Sequence, residues 1–338
     1  MISIEENAAL NVHSTMGLGG NARYLTSVQT NEELVEAVDW AVKNTQCVLP
    51  IGSGSNIIWR DEGFDGLVIV IDIKGKEYFG DKLVKLNAGE NWDDAVAYSV
   101  SQGLSGLETL SLIPGTVGAT PVQNVGAYGS EVSDTMVELK AYDLKELCMV
   151  TIKNQDCAFA YRTSRFKTID KGRFIITSVT FKLSDKYKTP PFYGSLQSYL
   201  DEHNITDYSP ASLRQAVIAI RQSKLPNPEE VANNGSFFAN PIVDAEKFNN
   251  LKTSYPNMPA WPTPEGKFKL AAGWLVEQAG FKDVHDEKTG MAVWPKQSLV
   301  LINENASSTA DLLEFRDKII NAVDNKFGIT LEQEPELI

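Results

Sequence analysis

The chain has 338 residues, of which 43% are hydrophobic and 22% charged, with 24 glycines and 15 prolines. Such values are ordinary for a globular protein and exclude a disordered or fibrous chain, and the length predicts two or three folded units. The net charge of −13 argues against nucleic-acid binding and against adsorption to anionic lipid.

Sequence patterns also narrow the compartment and the chemistry. No stretch has the apolar length that spans a bilayer, and the N-terminus has neither a basic nor an apolar leader, so we expect a cytoplasmic protein without membrane contact. Cys47, Cys148 and Cys157 lack Cys-x-x-Cys spacing and suit reduced thiols. Three histidines without paired ligand spacing favour a mechanism that uses no metal.

The first half of the chain predicts mixed α and β structure. Residues 30–44 predict a helix with a capping box of Thr30 and Glu33, and Asn91 caps a second helix that closes at Gly103. Apolar and β-branched runs predict strands over 47–51, 66–73, 82–88, 136–144, 147–152 and 174–183. The last three strands predict a largely antiparallel sheet.

The second half begins after a Pro- and Tyr-rich stretch over 188–210, and we place a domain boundary near 210. A polar helix from about Ser212 ends at the Pro-rich motif of residues 224–228. Further elements are predicted as a helix over 269–280, a strand over 298–303, and a helix over 308–327 with Asp311 in its capping box.

Two glycine-rich segments are candidates for ligand binding. The first glycine segment, residues 52–56, reads Gly-Ser-Gly-Ser-Asn directly after a strand, where free main-chain N–H groups can wrap a phosphate. It lacks the third glycine of a dinucleotide fingerprint, so a plain tight turn is an equally good interpretation. The second glycine segment, residues 106–129, is almost uncharged and suits a pyrophosphate and a flat heteroaromatic ring.

The second glycine segment, from Pro114-Gly115-Thr-Val-Gly118 through Gln123-Asn124-Val-Gly126-Ala-Tyr128-Gly129, resembles the flavin loop of the UDP-N-acetylenolpyruvoylglucosamine reductases, the MurB family. Family-like blocks in the same order cover almost the whole chain: residues 52–56, 161–166, 224–228, 235–241, 271–278 and 331–334. The resemblance implies an α+β fold of three domains. Two domains form a vanillyl-alcohol-oxidase/PCMH-type FAD-binding fold, and the third is an α/β substrate-binding domain.

The implied domain bounds are 1–66 for FAD-binding subdomain 1, 67–210 for subdomain 2 and 211–327 for the substrate-binding domain, with the tail 328–338 returning to the active site. The implied reaction has two stages. NADPH reduces bound FAD and leaves, and UDP-N-acetylglucosamine enolpyruvate then binds the same cleft and becomes UDP-N-acetylmuramate, a peptidoglycan precursor. We expect a monomer whose partners are these small molecules.

The resemblance also assigns site residues. Arg162 matches the catalytic arginine, Ser236 the proton donor and Glu334 the third catalytic residue, with Arg165 and Glu332 as their rivals. The residues that match FAD contacts are Gly52, Ser53, Gly54, Ser55, Asn56, Pro114, Gly115, Gly118, Ala119, Gln123, Asn124 and Gly126. Those that match or suit substrate contacts are Tyr128, the mobile tyrosine Tyr193, Arg221, the phosphate-binding Lys224, Asn240 and Gln278.

Two other functions stay open at this point. One is a flavin oxidase of the same superfamily that acts on an alcohol or phenol, and the other is a nucleotide-sugar-binding protein without catalysis. Lys267 and Lys269 can either reach a ligand or face water.

Overall fold

The structure is a computed structural model that describes residues 2–338. Its α-helices over this range are α1 (Asn31–Lys43), α2 (Trp92–Ser101), α3 (Gly194–Glu202), α4 (Pro210–Lys224), α5 (Ala245–Ser254), α6 (Ala272–Val276) and α7 (Thr309–Phe327). Its strands are β1 (Glu5–Ala9), β2 (Asn21–Val28), β3 (Val48–Ile51), β4 (Ile57–Ile58), β5 (Phe64–Ile71), β6 (Lys76–Tyr78), β7 (Leu83–Asn87), β8 (Gly126–Ala127), β9 (Ser130–Glu131), β10 (Met136–Asp143), β11 (Cys148–Lys153), β12 (Phe174–Lys182), β13 (Asn233–Ser236), β14 (Ile242–Val243), β15 (Ala260–Pro262), β16 (Phe268–Leu270), β17 (His285–Asp286), β18 (Met291–Val293), β19 (Val300–Asn303) and β20 (Glu336–Leu337).

The chain forms two compact units. The first unit comprises the N-terminal residues as far as Ala8, Ala22–Ser53 and Phe64–Ser223, and the second comprises Ala9–Asn21, Gly54–Gly63 and Lys224–Ile338. The division into three domains stays a prediction. Residues 211–223, which the resemblance assigned to the substrate-binding domain, belong to the first unit because the apolar face of α4 packs on α3.

The first unit holds a sheet with strand order β1-β2-β5-β3, in which β2 and β3 both run parallel to β5. Helix α1 covers this sheet and buries Leu34 and Val38 against Leu67. The Thr30 side chain accepts from Glu33 N as predicted, while the Glu33 carboxylate accepts from Gln29 N. Thr30 and Glu33 therefore both cap the helix as expected. The Glu33 carboxylate, however, accepts from Gln29 N and not from Thr30 N, which a capping box would use.

An antiparallel sheet of the first unit has the order β11-β10-β12-β7-β6. Trp92 of α2 is fully buried against Phe181 of β12, and its indole Nε1 donates to Leu110 O at 2.9 Å. This packing fixes the N-terminus of α2 beside the chain that leads into the second glycine segment. The predicted strands β3, β5, β7, β10, β11 and β12 are confirmed, each within two residues of its expected ends.

The second unit is built on an antiparallel sheet with the order β13-β19-β18-β17. Helix α7 packs on its core through Phe315, Ile319 and Val323, and the predicted capping box of Ser308 and Asp311 is present. No helix among residues 2–338 combines the length and the apolarity that crossing a membrane demands.

The predicted helix over 269–280 is wrong at its start. Phe268–Leu270 forms β16, which pairs with both β14 and β15, because the sheet offers this segment hydrogen-bond partners on two sides. Helix α6 begins only at Ala272 and continues as a π-helix over Glu277–Phe281. Helix α3 lies inside the Pro- and Tyr-rich stretch over 188–210, for which the sequence predicts no helix or strand.

The cysteines are free thiols. Cys47 and Cys148 are exposed, whereas Cys157 is buried. Burial raises the pKa of Cys157 to about 12, so this thiol stays protonated and unreactive at neutral pH.

Candidate active site

The two glycine segments meet in the first unit. A Cβ at Gly52 would lie 2.3 Å from Thr116 Oγ1, and a Cβ at Gly118 would lie 2.6 Å from the Cβ of Ala88. A side chain at either position would overlap these neighbours, so Gly52 packs directly on the Thr116 side chain and Gly118 on Ala88. A plain turn does not require this contact between two segments that lie over 60 residues apart in sequence.

The second glycine segment is held by main-chain hydrogen bonds at the start of α2. These run from Trp92 N to Gly115 O at 3.0 Å, from Val117 N to Glu90 O at 2.9 Å and from Gly118 N to Ala88 O at 2.9 Å. Gly115 has a φ of +136°, which suits glycine, while Pro114 and Ala119 are exposed. The segment therefore presents backbone and small side chains to solvent.

The first glycine segment continues into the second unit. Gly54 has a φ of +69°, and a Cβ there would lie 2.0 Å from His13 O. Thr15 N donates to Gly54 O at 3.3 Å. Gly52 and Ser53 thus belong to the first unit, and Gly54, Ser55 and Asn56 to the second.

Asn124 organises the second glycine segment from inside. Its side chain is fully buried, and its Nδ2 donates to Glu131 Oε2 at 2.7 Å and to Ala160 O at 3.3 Å. Its Oδ1 accepts from Ser133 N at 3.0 Å. Because these bonds engage both ends of the amide, Asn124 fixes the loop, and its direct contact with FAD stays a prediction, as does that of half-buried Gln123.

Arg162 lies beside the second glycine segment. Its Nη2 donates to Gly126 O at 2.8 Å, and its guanidinium lies 5.1 Å from the centroid of the Tyr161 ring. Its φ of +54° is rare for a residue with a side chain and is typical of functional positions. The rival Arg165 instead pairs with Asp170 at 2.6 Å, which favours Arg162 as the catalytic arginine.

Tyr128 and Arg221 form a second polar group in the first unit. Tyr128 and Gly129 both have positive φ and make the two-residue turn between β8 and β9. Arg221 hydrogen-bonds to Tyr128 and donates from Nε to Leu112 O at 3.2 Å. Arg221 is half-buried, and burial lowers its pKa and raises that of Tyr128.

Tyr193 extends this group, since its ring packs edge-on to Tyr128 with centroids 6.2 Å apart. Asp93 accepts from Arg214 Nη1 at 2.5 Å and from Arg214 Nη2 at 2.8 Å, and it is linked to Arg221 through Leu112, whose N donates to Asp93 and whose O accepts from Arg221. No sequence pattern predicts this pair, because its members lie 121 residues apart. Asp93 itself lies in the first turn of α2, after the Asn91 cap.

Ser236 and Glu334 come together in the second unit. Glu334 N donates to Phe237 O at 2.9 Å, one residue beyond Ser236, while Ala239 N donates to Glu332 O at 3.0 Å. Ser236 is exposed, whereas the next residue, Phe237, is fully buried. This register places Glu334 nearer to Ser236 than Glu332 and favours Glu334 as the catalytic glutamate.

The C-terminal tail runs along the end of the first glycine segment. Glu336 N donates to Asn56 O at 2.9 Å, and β20 pairs in parallel with β4. Ile338 extends this pairing: its N donates to Ile58 O at 3.0 Å, and its O accepts from Arg60 N at 2.8 Å. Main-chain hydrogen bonds therefore hold residues 336–338 in place.

The three remaining predicted substrate contacts all lie in the second unit. Lys224 has an exposed side chain, and its carbonyl accepts from Trp294 Nε1 at 2.9 Å. Asn240 Oδ1 accepts from Ala272 N at 2.9 Å and so begins α6. Gln278 is exposed in the π-helix. Their roles toward a substrate stay predictions.

Comparison with known proteins identifies two regions of the chain. The family model described as FAD binding domain matches residues 22–146, and that described as UDP-N-acetylenolpyruvoylglucosamine reductase, C-terminal domain, matches residues 227–338. The first match contains Gly52 and the second glycine segment, and the second contains Ser236 and Glu334.

Curated relatives match over the full length. The UDP-N-acetylenolpyruvoylglucosamine reductase of Neisseria gonorrhoeae is 42% identical, covering 99% of this chain and 97% of the relative. That of Cupriavidus pinatubonensis is 38% identical over 100% of both chains. A crystal structure of UDP-N-acetylenolpyruvylglucosamine reductase from Thermus caldophilus has a TM-score of 0.69 at 22% identity, covering 100% of this chain and 99% of its own, and shows the same fold. The chain belongs to the family of UDP-N-acetylenolpyruvoylglucosamine reductases.

Proposed function

We propose that this chain reduces UDP-N-acetylglucosamine enolpyruvate to UDP-N-acetylmuramate, with NADPH as the hydride donor, in peptidoglycan precursor synthesis. The observation that carries the proposal is the main-chain hydrogen bond from Glu334 N to Phe237 O, directly beside Ser236, inside a chain whose full-length relatives bear this enzyme name. The enzyme is an FAD-dependent oxidoreductase.

The glycine segments fit a bound FAD. Gly52 packs directly on the Thr116 side chain, where a Cβ would overlap it, and the two segments consist of backbone and small residues that suit close contact with a pyrophosphate. Residues 52–56 and 114–126 would hold the cofactor. When bound there, FAD would supply the redox chemistry that carries hydride from NADPH to C3 of the enolpyruvyl group.

Arg162 would stabilise the charge that develops in the second stage. As C3 is reduced, electron density accumulates at C2 and on the carboxylate of the substrate. A planar guanidinium that is always charged suits a carboxylate that becomes enolate-like. Its hydrogen bond to Gly126 O ties its position to the second glycine segment.

Ser236 would donate the proton to C2. A serine hydroxyl is a weak acid, so its contribution depends on delivery at fixed geometry to a strongly basic carbon. The main-chain bond between Glu334 and Phe237 supports this geometry. Glu334 would orient or polarise the enolpyruvyl group.

The UDP moiety needs cations on a protein whose net charge is −13. Arg221 and Lys224 would bind its diphosphate, and Tyr193 would close over the nucleotide beside Tyr128. Asn240 and Gln278 would supply further polar contacts. The position of the half-buried Arg221, hydrogen-bonded to Tyr128 whose ring packs on Tyr193, supports this assignment.

The finer proposals concern the state of the protein in the cell. We propose a cytoplasmic monomer that binds neither nucleic acid nor membrane, and the strongly negative net charge supports the absence of polyanionic partners. Size-exclusion chromatography with light scattering tests the monomer, since a dimer would have a molar mass of twice 37.2 kDa.

The decisive experiment follows NADPH and the visible flavin spectrum of the purified holoprotein. NADPH should bleach the flavin, and the enolpyruvyl nucleotide should restore its colour without oxygen. NADPH consumption that does not depend on the nucleotide would refute the proposal. Rapid peroxide formation would indicate the oxidase, and tight nucleotide binding without turnover would indicate a non-catalytic protein.

A further inference from the structure

Asn234 lies in β13 two residues before Ser236 and is 7% exposed. The strand contains a bulge here, because Asn233 pairs with Ile302 while Ser236 pairs with Val300. Gly235, with a φ of +69°, supplies the left-handed residue that such a bulge uses. The direction of the chain at Ser236 therefore depends on how this bulge is held.

The side-chain amide of Asn234 holds the β13 bulge against the first glycine segment. Its Nδ2 lies 3.2 Å from Ser55 O, 3.4 Å from Ile57 O and 3.2 Å from Thr15 Oγ1. The two carbonyls flank Asn56 on either side. Thr15 adds a parallel connection, since its N donates to Gly54 O and its O accepts from Asn233 N at 2.9 Å.

The orientation of this amide follows from its partners. The opposite rotamer would place Oδ1 against the Ser55 and Ile57 carbonyl oxygens, where two acceptors repel. With Nδ2 toward the carbonyls, Oδ1 is buried and accepts no hydrogen bond from residues 2–338. A buried acceptor without a donor is unfavourable, and an apolar side chain would avoid it. The Nδ2 donor is therefore the reason that an asparagine suits position 234.

We propose that Asn234 is a positioning residue that fixes the backbone of residues 55–57 relative to Ser236. It would thereby set the separation between bound FAD and the proton donor. This inference rests on the proposed function, in which residues 52–56 hold FAD and Ser236 protonates C2. Asn234 itself touches neither the substrate nor the reacting atoms.

The test compares Asn234→Ala with Asn234→Asp, which keeps the shape of the side chain but replaces the donor with an acceptor. Asn234→Ala should weaken FAD binding to the apoprotein about five- to tenfold, the weight of one net hydrogen bond, and Asn234→Asp should weaken it more. Flavin reoxidation by the enolpyruvyl nucleotide should slow in both variants, while flavin reduction by NADPH changes less than about twofold.

Thr289→Val is the matched control, because Thr289 is a buried polar residue of the same unit in the turn between β17 and β18. It should leave FAD affinity and both half-reactions unchanged. If Asn234→Ala does not fold, Asn234→Ser, which keeps a hydroxyl donor on a shorter side chain, should weaken FAD binding less than Asn234→Asp does.

Unchanged FAD affinity in the Asp variant, or equal slowing of both half-reactions, would overturn the positioning role. Failure of the proposed function looks different. In that case the wild-type holoprotein does not couple NADPH oxidation to the nucleotide, whereas the FAD affinity of the variants still separates Asn234 from its control.

Discussion

Asp93 connects helix α2 to the Arg221 group, and its removal should destabilise the first unit strongly. Its carboxylate accepts from Arg214 Nη1 at 2.5 Å, from Arg214 Nη2 at 2.8 Å and from Leu112 N at 2.5 Å. Leu112 O in turn accepts from Arg221. Asp93→Ala would leave the Arg214 guanidinium and a main-chain N–H without their partner.

The magnitude follows from burial. The Arg214 and Asp93 side chains are 15% and 24% exposed, so the pair lies nearer to the buried limit than to the surface. Breaking a buried pair costs about 3–5 kcal/mol, whereas exposed pairs contribute about 0–1 kcal/mol. We therefore expect a loss of about 3 kcal/mol in the free energy of unfolding. For a unit of this size it lowers Tm by about 6–12 °C.

Calorimetry of the full chain measures the effect on the transition of the first unit. Asp65→Ala is the matched control, because Asp65 pairs with Arg23 at 3.1 Å while 85% exposed, and its loss should cost below about 0.5 kcal/mol. The double variant with Arg214→Ala should recover about 1 kcal/mol, since no unpaired guanidinium remains. A Tm for Asp93→Ala equal to that of the control would refute the reasoning.

Three other changes have defined outcomes. Gly52→Ala should yield protein with little bound flavin, measured by its absorbance ratio, because the added Cβ would lie 2.3 Å from Thr116 Oγ1. Arg162→Lys should lower kcat/KM for the enolpyruvyl nucleotide by about 100-fold, since lysine lacks the planar fork, with NADPH-driven flavin reduction unchanged in stopped flow. Hydrogen bonds from Arg173 lower the pKa of Asp143 to about 2, so its stabilisation is complete above the unfolded value of about 3.9 and is lost as pH falls toward 2. Urea unfolding at pH 6 and pH 3 should show that Asp143→Asn loses part of this acid sensitivity.

Much of the fold is encoded in local pattern. The capping box of Ser308 and Asp311, with apolar residues at helical spacing, was sufficient to predict α7. The β-branched runs at β10 and β12 were sufficient for the antiparallel sheet. The start of α6 was not predictable, since Phe268–Leu270 is held as a strand by neighbours on both sides.

The candidate site likewise contains some residues that the sequence predicts and others that it does not. Arg162, Ser236 and Glu334 were assigned by resemblance, and the structure adds the register that separates Glu334 from Glu332. Asp93 and Asn234 were missed, because their importance depends on partners distant in sequence: Leu112 and Arg214 for one, Ser55 and Ile57 for the other. A single sequence carries no trace of such long-range hydrogen bonds.

The central claim is that Ser236 supplies the proton as the enolpyruvyl group is reduced, and anaerobic stopped flow on Ser236→Ala tests it most directly. The variant should be reduced by NADPH at close to the wild-type rate, because that stage uses no proton from Ser236. Its flavin should then regain colour at least about 100-fold more slowly when the enolpyruvyl nucleotide is added. Equal slowing of both stages, or recovery at the wild-type rate, would contradict the account.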